Sequence, residues 1–132
     1  MKNKIFTSAD VGKFGEKACA HFLKKSKYKI LGMNCRIGRL EADVIGVNKT
    51  HLIFVEVKTR RMDLKSSSRP ASAVNKEKKD NLIAFARAYV KSASEKYQNK
   101  QIRIDVCEVN VYQNKKKLKV NNLNYIENAV SR

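Results

Sequence analysis

The chain has 132 residues, 42% of them hydrophobic, and its 29 Lys+Arg against 12 Asp+Glu give a formal net charge of +17. That excess goes far beyond what solubility requires and points to a polyanionic partner, while the apolar content excludes a disordered basic tail and the length suits one domain over residues 1–132. No basic segment adjoins a hydrophobic span or lipidation signal, so nucleic acid, DNA first, is the partner expected, and no membrane.

Met1 to Phe6 lead into polar residues instead of the apolar core of a signal peptide, and no apolar run approaches transmembrane length. A cytoplasmic location is expected. Cys19, Cys35 and Cys107 are odd in number, widely spaced and lack Cys-x-x-Cys pairing, which argues against zinc and a disulfide framework and for reduced structural thiols. His21 and His51 are too few and too far apart for a His-based catalytic set, and a surface or core-edge place is expected for each.

Thr7 or Ser8 can cap a helix from about Ala9 to Lys25 whose apolar stripe is Val11, Phe14, Ala18 and Phe22. Glu16 lies on an adjoining line with Cys19, Ala20 and Leu23, so it can lean toward the core edge. Gly12 and Gly15 each cost about 1 kcal/mol against alanine inside a helix, a hint that something approaches the backbone closely. Tyr28 to Leu31 reads as a short strand, and Asn34 to Arg39 leads into a hairpin.

In that hairpin Leu40 to Ile45 and Leu52 to Val55 flank the polar turn Asn48-Lys49-Thr50-His51. A turn centred between Lys49 and Thr50 puts Asp43 directly opposite Glu56, with Ile45 opposite Phe54, Val47 opposite Leu52 and Glu41 opposite Lys58. Opposed residues have Cβ atoms about 4.5–5.5 Å apart on one face. Two facing carboxylates repel unless a proton or cation lies between them, and a hard divalent ion, Mg²⁺ or Mn²⁺, resolves that conflict. Lys58, two residues along the strand from Glu56, points the same way. The bland alternative is a solvated hairpin end in which Glu41 and Lys58 form a surface ion pair.

Thr59 to Pro70 loses apolar periodicity and reads as a flexible basic loop. A second helix from about Ala71 to Ala93 buries Val74, Leu82, Phe85, Ala86, Tyr89 and Val90 and carries Lys76, Lys78 and Lys79 in its first half. Ile102 to Val109 with Val111-Tyr112 alternate as a strand, and Leu118-Lys119-Val120 follows the basic turn Asn114 to Lys117.

Gly12-Lys13-Phe14-Gly15-Glu16, then Asn34 and Arg36, Glu41-Ala42-Asp43-Val44-Ile45, Phe54-Val55-Glu56-Val57-Lys58 with Arg60, and Arg103-Ile104-Asp105-Val106 form an ordered series. Over almost the whole chain this series resembles the YraN-like uncharacterised bacterial protein family. That family is similar to the restriction-endonuclease-like PD-(D/E)XK superfamily and to archaeal Holliday-junction resolvases. The resemblance implies an α/β fold, a restriction-endonuclease-like mixed central β-sheet flanked by α-helices. It implies Asp43 and Glu56 as metal ligands, completed by the Val57 carbonyl, with Lys58 positioning or activating the attacking water and Glu16 helping to organise the site. Leu40 and Ser68 stand where the family pattern has glycine.

The function expected is that of a Mg²⁺- or Mn²⁺-dependent endonuclease acting on DNA, selective for shape or junctions, since no base-reading helix is visible. Arg36, Arg60, Arg61, Lys76, Lys78 and Lys79 would hold neighbouring phosphates. A homodimer stays open. The other classes are a nuclease-fold module that binds without cutting, and a basic RNA-binding or ribosome-associated protein; for the latter no aromatic sheet platform is evident.

Overall fold

The computed structural model describes residues 4–64, 76–93 and 95–129. They form helix α1 (Ser8–Lys25), strands β1 (Lys29–Ile37), β2 (Leu40–Val47) and β3 (His51–Arg61), helix α2 (Lys76–Ser92), and strands β4 (Gln101–Asn114) and β5 (Lys117–Ile126). The strands make one sheet in sequence order. All neighbours are antiparallel except β3 and β4, which run parallel. A parallel neighbour requires a crossover, and α2 is part of it. The result is the expected mixed sheet flanked by helices, consistent with a restriction-endonuclease-like fold.

Each sheet face has its own core. Against α1, the side chains of Val11, Cys19 and Leu23 pack on Val44, Ile53, Val55, Cys107 and Val109. Against α2, Leu82, Phe85 and Ala86 pack on Ala42, Ile45, Leu52, Phe54 and Ile104, with Phe54 edge-on to Phe85 and Tyr89. The four-residue apolar run in β3 is thus explained, because a strand covered on both sides has no polar face to alternate with.

Thr7 caps α1 with a reciprocal capping box: its hydroxyl accepts from the Asp10 amide at 3.0 Å, and the Asp10 carboxylate accepts from the Thr7 amide at 2.9 Å. The stripe expected along Val11, Phe14, Ala18 and Phe22 is rotated in the structure. Val11, Gly15, Cys19, Ala20 and Leu23 are the buried line, and Phe22 is 37% exposed. The cause is Gly15. A Cβ there would collide with the Thr59 side chain, so its absence lets α1 settle on β3 along that line.

Other boundaries differ from expectation. β3 continues through Thr59, Arg60 and Arg61, residues expected in a basic loop, because β4 pairs with them in parallel through Val109, Asn110 and Val111. β1 extends to Ile37 by pairing with β2, past an irregularity between Ile30 and Gly32. β5 reaches Ile126, pairing its asparagines along β4. Helix α2 begins at Lys76; Ser68, Pro70, Val74 and the Ala71 to Asn75 start expected for it lie outside the described residues.

Cys19, Cys35 and Cys107 are all free thiols, Cys19 and Cys107 fully buried. The contact with Cys107, together with burial, pushes the Cys19 thiol far above its ordinary pKa, which keeps it protonated and inert. His21 is exposed and His51 half-buried beside the hairpin turn. No helix among the described residues is long and apolar enough to cross a membrane.

Candidate metal and nucleic-acid site

The β2–β3 hairpin adopts the expected register, with Ile45 opposite Phe54 and Val47 opposite Leu52. Asn48 fixes it: its side-chain oxygen accepts from the backbone amides of Thr50 and His51 at 3.0 and 2.7 Å. The ladder ends at Val44 and Val55. One position further, a carboxylate oxygen of Asp43 accepts the Val57 amide at 2.8 Å, so a side chain takes over where backbone pairing stops.

At this strand end Asp43 and Glu56 line one cavity of about 310 Å³, together with Arg39, Glu41, Lys78 and Asn81. Both acids are half-buried. Glu56 has Lys78 of α2 at 3.6 Å and Lys58 at 3.8 Å from one carboxylate oxygen. The Glu41 to Lys58 pairing expected from the register is replaced: Glu41 meets Arg36 at 3.5 Å in an exposed pair, and Lys58 turns to Glu56. Ending the ladder at Val44 removes the rung that would have set Glu41 against Lys58.

Burial pushes the Asp43 carboxyl up to about 7, reinforced by the charges of Glu56, Glu16 and Glu41 and opposed by the Val57 hydrogen bond. Burial and the neighbouring Lys78 ammonium lower the Lys58 pKa from its ordinary value, against the pull of Glu56 and Asp43. Glu16 lies elsewhere. Its carboxylate accepts from the Asn34 side chain at 2.9 Å and lines a separate cleft of about 300 Å³ between the start of α1 and the end of β3, with Gly12, Val57, Thr59 and Arg60. The two hollows are linked by one hydrogen bond, since Val57 lines one and its amide donates to Asp43 of the other.

The cations expected to meet phosphate are dispersed around this end. Arg36 is on β1, and Lys76, Lys78 and Lys79 are on the first turn of α2. Arg61 is committed elsewhere, forked onto Asp63 at 3.0 and 2.7 Å, with Asp63 also accepting the Gln113 amide at 3.1 Å. That clasp holds the Asp63 carboxyl down at about 2 and ties the end of β3 to the end of β4.

Three features were not singled out from the sequence. Arg39 and Asn81 join the acid cavity only because β2 and α2 converge there, and their spacing carries no signal. A third groove, about 460 Å³, brings Lys13 and Lys17 of α1 beside Lys116 and Lys117 of the β4–β5 turn. The i, i+4 spacing of Lys13 and Lys17 was the available clue. Finally, Asp105 is completely buried and fully satisfied: Arg103 donates at 2.9 and 3.0 Å, the Tyr125 hydroxyl at 2.6 Å and the Asn128 amide at 2.9 Å, while Arg103 also reaches the Tyr28 hydroxyl at 2.7 Å. Burial and the Asp105 charge raise the Tyr125 pKa, which keeps that hydroxyl a donor. This network ties β1's entry, β4 and the chain beyond β5 together.

A mixed five-stranded sheet flanked by two helices, with two acids and two lysines gathered at the end of its central hairpin, defines the class. Residues 15–109 match the uncharacterised protein family UPF0102, and the chain belongs to that family. It is 40% identical to a UPF0102 protein of Caldanaerobacter subterraneus over 121 residues, covering 90% of this chain and 93% of that one. It is 43% identical to one from Clostridium acetobutylicum over 98 residues, covering 74% and 77% respectively. A Dehalococcoides mccartyi relative is 32% identical over 115 residues, covering 87% and 92%.

Proposed function

We propose that this protein is a PD-(D/E)XK-type, metal-dependent endonuclease that hydrolyses phosphodiester bonds of DNA and selects its substrate by shape, branched or junction DNA included, as archaeal Holliday-junction resolvases do. The observation that carries the reading is the pair Asp43 and Glu56, which line one cavity just past the last rung of a hairpin on a chain of net charge +17.

The donor set fits a hard divalent ion. Among the described residues no three His, Cys, Asp or Glu side chains gather into a metal cage. An ion here would take Asp43, Glu56 and the Val57 carbonyl, and draw the rest of its shell from water and phosphate, the usual manner of Mg²⁺. The raised Asp43 pKa, caused first by burial and then by the charges of Glu56, Glu16 and Glu41, is a shift that a bound cation would reverse. What Mg²⁺ or Mn²⁺ supplies at such a site is charge neutralisation at the scissile phosphate and a lower pKa for a bound water.

The chain's own residues do the rest. Lys58, held against Glu56 with its pKa lowered, offsets negative charge growing on the phosphate and orients the attacking water. Glu16 helps organise the site through its charge on Asp43. Arg36, Arg60, Lys76, Lys78 and Lys79 supply the surrounding cationic field, which positions a backbone and reads no bases, while Arg61 is committed to Asp63.

Cleavage of single strands, duplexes, flaps and four-way junctions with Mg²⁺ or Mn²⁺ tests the proposal. Metal-dependent cutting lost in both Asp43→Asn and Glu56→Gln supports it, and cutting that survives Asp43→Asn refutes the site. One observation favours a second reading, a module that binds nucleic acid without cutting it: Lys58 and Lys78 already stand where they neutralise Glu56. Tight metal-independent binding with no cleavage of any shape establishes that alternative.

A further inference from the structure

Two glycines lie three residues apart on α1, and the fold accounts for only one of them. Gly15 is dictated by Thr59, whose Cβ would lie 2.7 Å from any Cβ placed there. At Gly12 an added Cβ meets no atom within 4 Å. Its backbone is ordinary right-handed helix, so no positive φ calls for glycine either. A helix interior loses stability to such a residue without gaining contact or conformation in return. What Gly12 does border is the cleft between the first turns of α1 and the end of β3, facing Val57, Thr59 and Arg60.

We propose that this cleft is a second nucleic-acid subsite, taking the strand that continues from the phosphate held at Asp43 and Glu56, and that Gly12 is its clearance residue. Val57 lines the cleft and its amide donates to Asp43 of the acid cavity, so one hydrogen bond separates the residues of the two hollows. A strand that leaves the acids past Val57 would enter the cleft that Gly12 lines. Arg60 gives the cleft a cation for backbone phosphate, and Ser8 a hydroxyl. Glu16, on the same wall and holding Asn34, disfavours a phosphate at its own position and leaves that point to a sugar or base edge. The ligand class is thus a nucleic-acid strand longer than the cleaved dinucleotide. This inference rests on the nuclease reading for the direction of the strand, and its test does not need cleavage.

Gly12→Ala and Gly12→Gln in the full chain provide that test, read by thermal unfolding and by binding to fluorescent DNA, single-stranded and duplex, of about 20 nucleotides in a metal chelator. Gly12→Ala is expected to raise Tm by about 2–5 °C through helix propensity alone. Gly12→Gln is expected to keep at least the wild-type Tm and to weaken binding about tenfold or more on the form that occupies the cleft. Wild-type affinity in Gly12→Gln for both DNA forms overturns the inference, and so does lowered Tm in both variants, which would assign Gly12 to the fold. Absence of DNA binding by the wild type overturns it as well. If the wild type cuts no DNA yet Gly12→Gln binds weakly, the subsite stands and the nuclease reading falls. If Gly12→Gln binds and cuts like the wild type while Asp43→Asn does not cut, the nuclease reading stands and the subsite falls.

Discussion

The Asp43 carboxylate receives the Val57 amide at 2.8 Å, one position past the last backbone rung between β2 and β3. That hydrogen bond stands where backbone pairing stops and favours the charged carboxylate, but burial, with the charges of Glu56, Glu16 and Glu41, outweighs it and favours the neutral form. The site is built at a cost in stability, and that cost is measurable.

Asp43 titrates near 7 in the folded chain against about 3.9 when unfolded, so between those values the native state binds the extra proton. Stability of the metal-free protein is therefore expected to fall as pH rises from about 4 to about 7, to the extent that Asp43 governs it. Asp43→Asn keeps an acceptor for Val57 without the charge. Its Tm at pH 7.5 should exceed that of the wild type by about 4 °C or more, while cleavage is abolished and metal-free DNA binding is equal or tighter. A lower Tm in Asp43→Asn would show that the carboxylate is needed by the fold.

Lys79→Ala and Lys76→Ala remove cations with no acidic partner among the described residues. Each should weaken DNA binding and reduce the steepness of its log-log salt dependence by about one unit or less, with cleavage at saturating DNA unchanged. Lys78→Ala should behave differently, because it also strips a cation from Glu56: binding weakens and the metal dependence of cleavage shifts. Identical profiles for Lys78→Ala and Lys79→Ala would mean that the Glu56 contact is not used.

Arg103→Met leaves Asp105 buried with only Tyr125 and Asn128 as partners, and a buried acid deprived of its cation costs about 3–5 kcal/mol. Urea unfolding should show a loss of that size. Tyr125→Phe, which removes one donor and leaves Arg103 in place, should cost about 1–3 kcal/mol. Equal losses would argue against Arg103 as the principal partner.

Gly15→Ala drives a methyl into Thr59 and should destabilise the chain by about 1–3 kcal/mol. Pairing it with Thr59→Gly should recover part of that loss, as a double-mutant cycle on unfolding free energies would reveal. Full additivity would mean that the two residues do not meet.

The hairpin register from Val47 and Leu52 to Val44 and Val55 is legible because it follows from two local facts, the centre of a polar turn and the alternation on either side of it, and both are written in Asn48 to His51 and their flanks. What lay beyond local sequence was decided by partners. Thr59 to Arg61 look like loop until β4 lies beside them, and β5 looks like three residues until its asparagines find β4. The α1 stripe was misplaced because helical periodicity fits two adjoining lines, and a contact between Gly15 and Thr59, far apart in sequence, chose between them. Lys78 read as one more phosphate-binding lysine because nothing in α2 announces that its first turn ends against Glu56.

The one parallel pairing in the sheet also sets an order of assembly. β1, β2 and β3 are joined by short turns, whereas β4 returns to β3 only after the chain has travelled through α2, and closing that longer loop costs more entropy. The meander that carries Asp43 and Glu56 is therefore expected to gain hydrogen-exchange protection before β4 does during refolding. The two acids would then stand at one strand end before Lys78 has arrived, and if they hold a divalent ion as proposed, adding that ion to the refolding buffer is expected to speed the step.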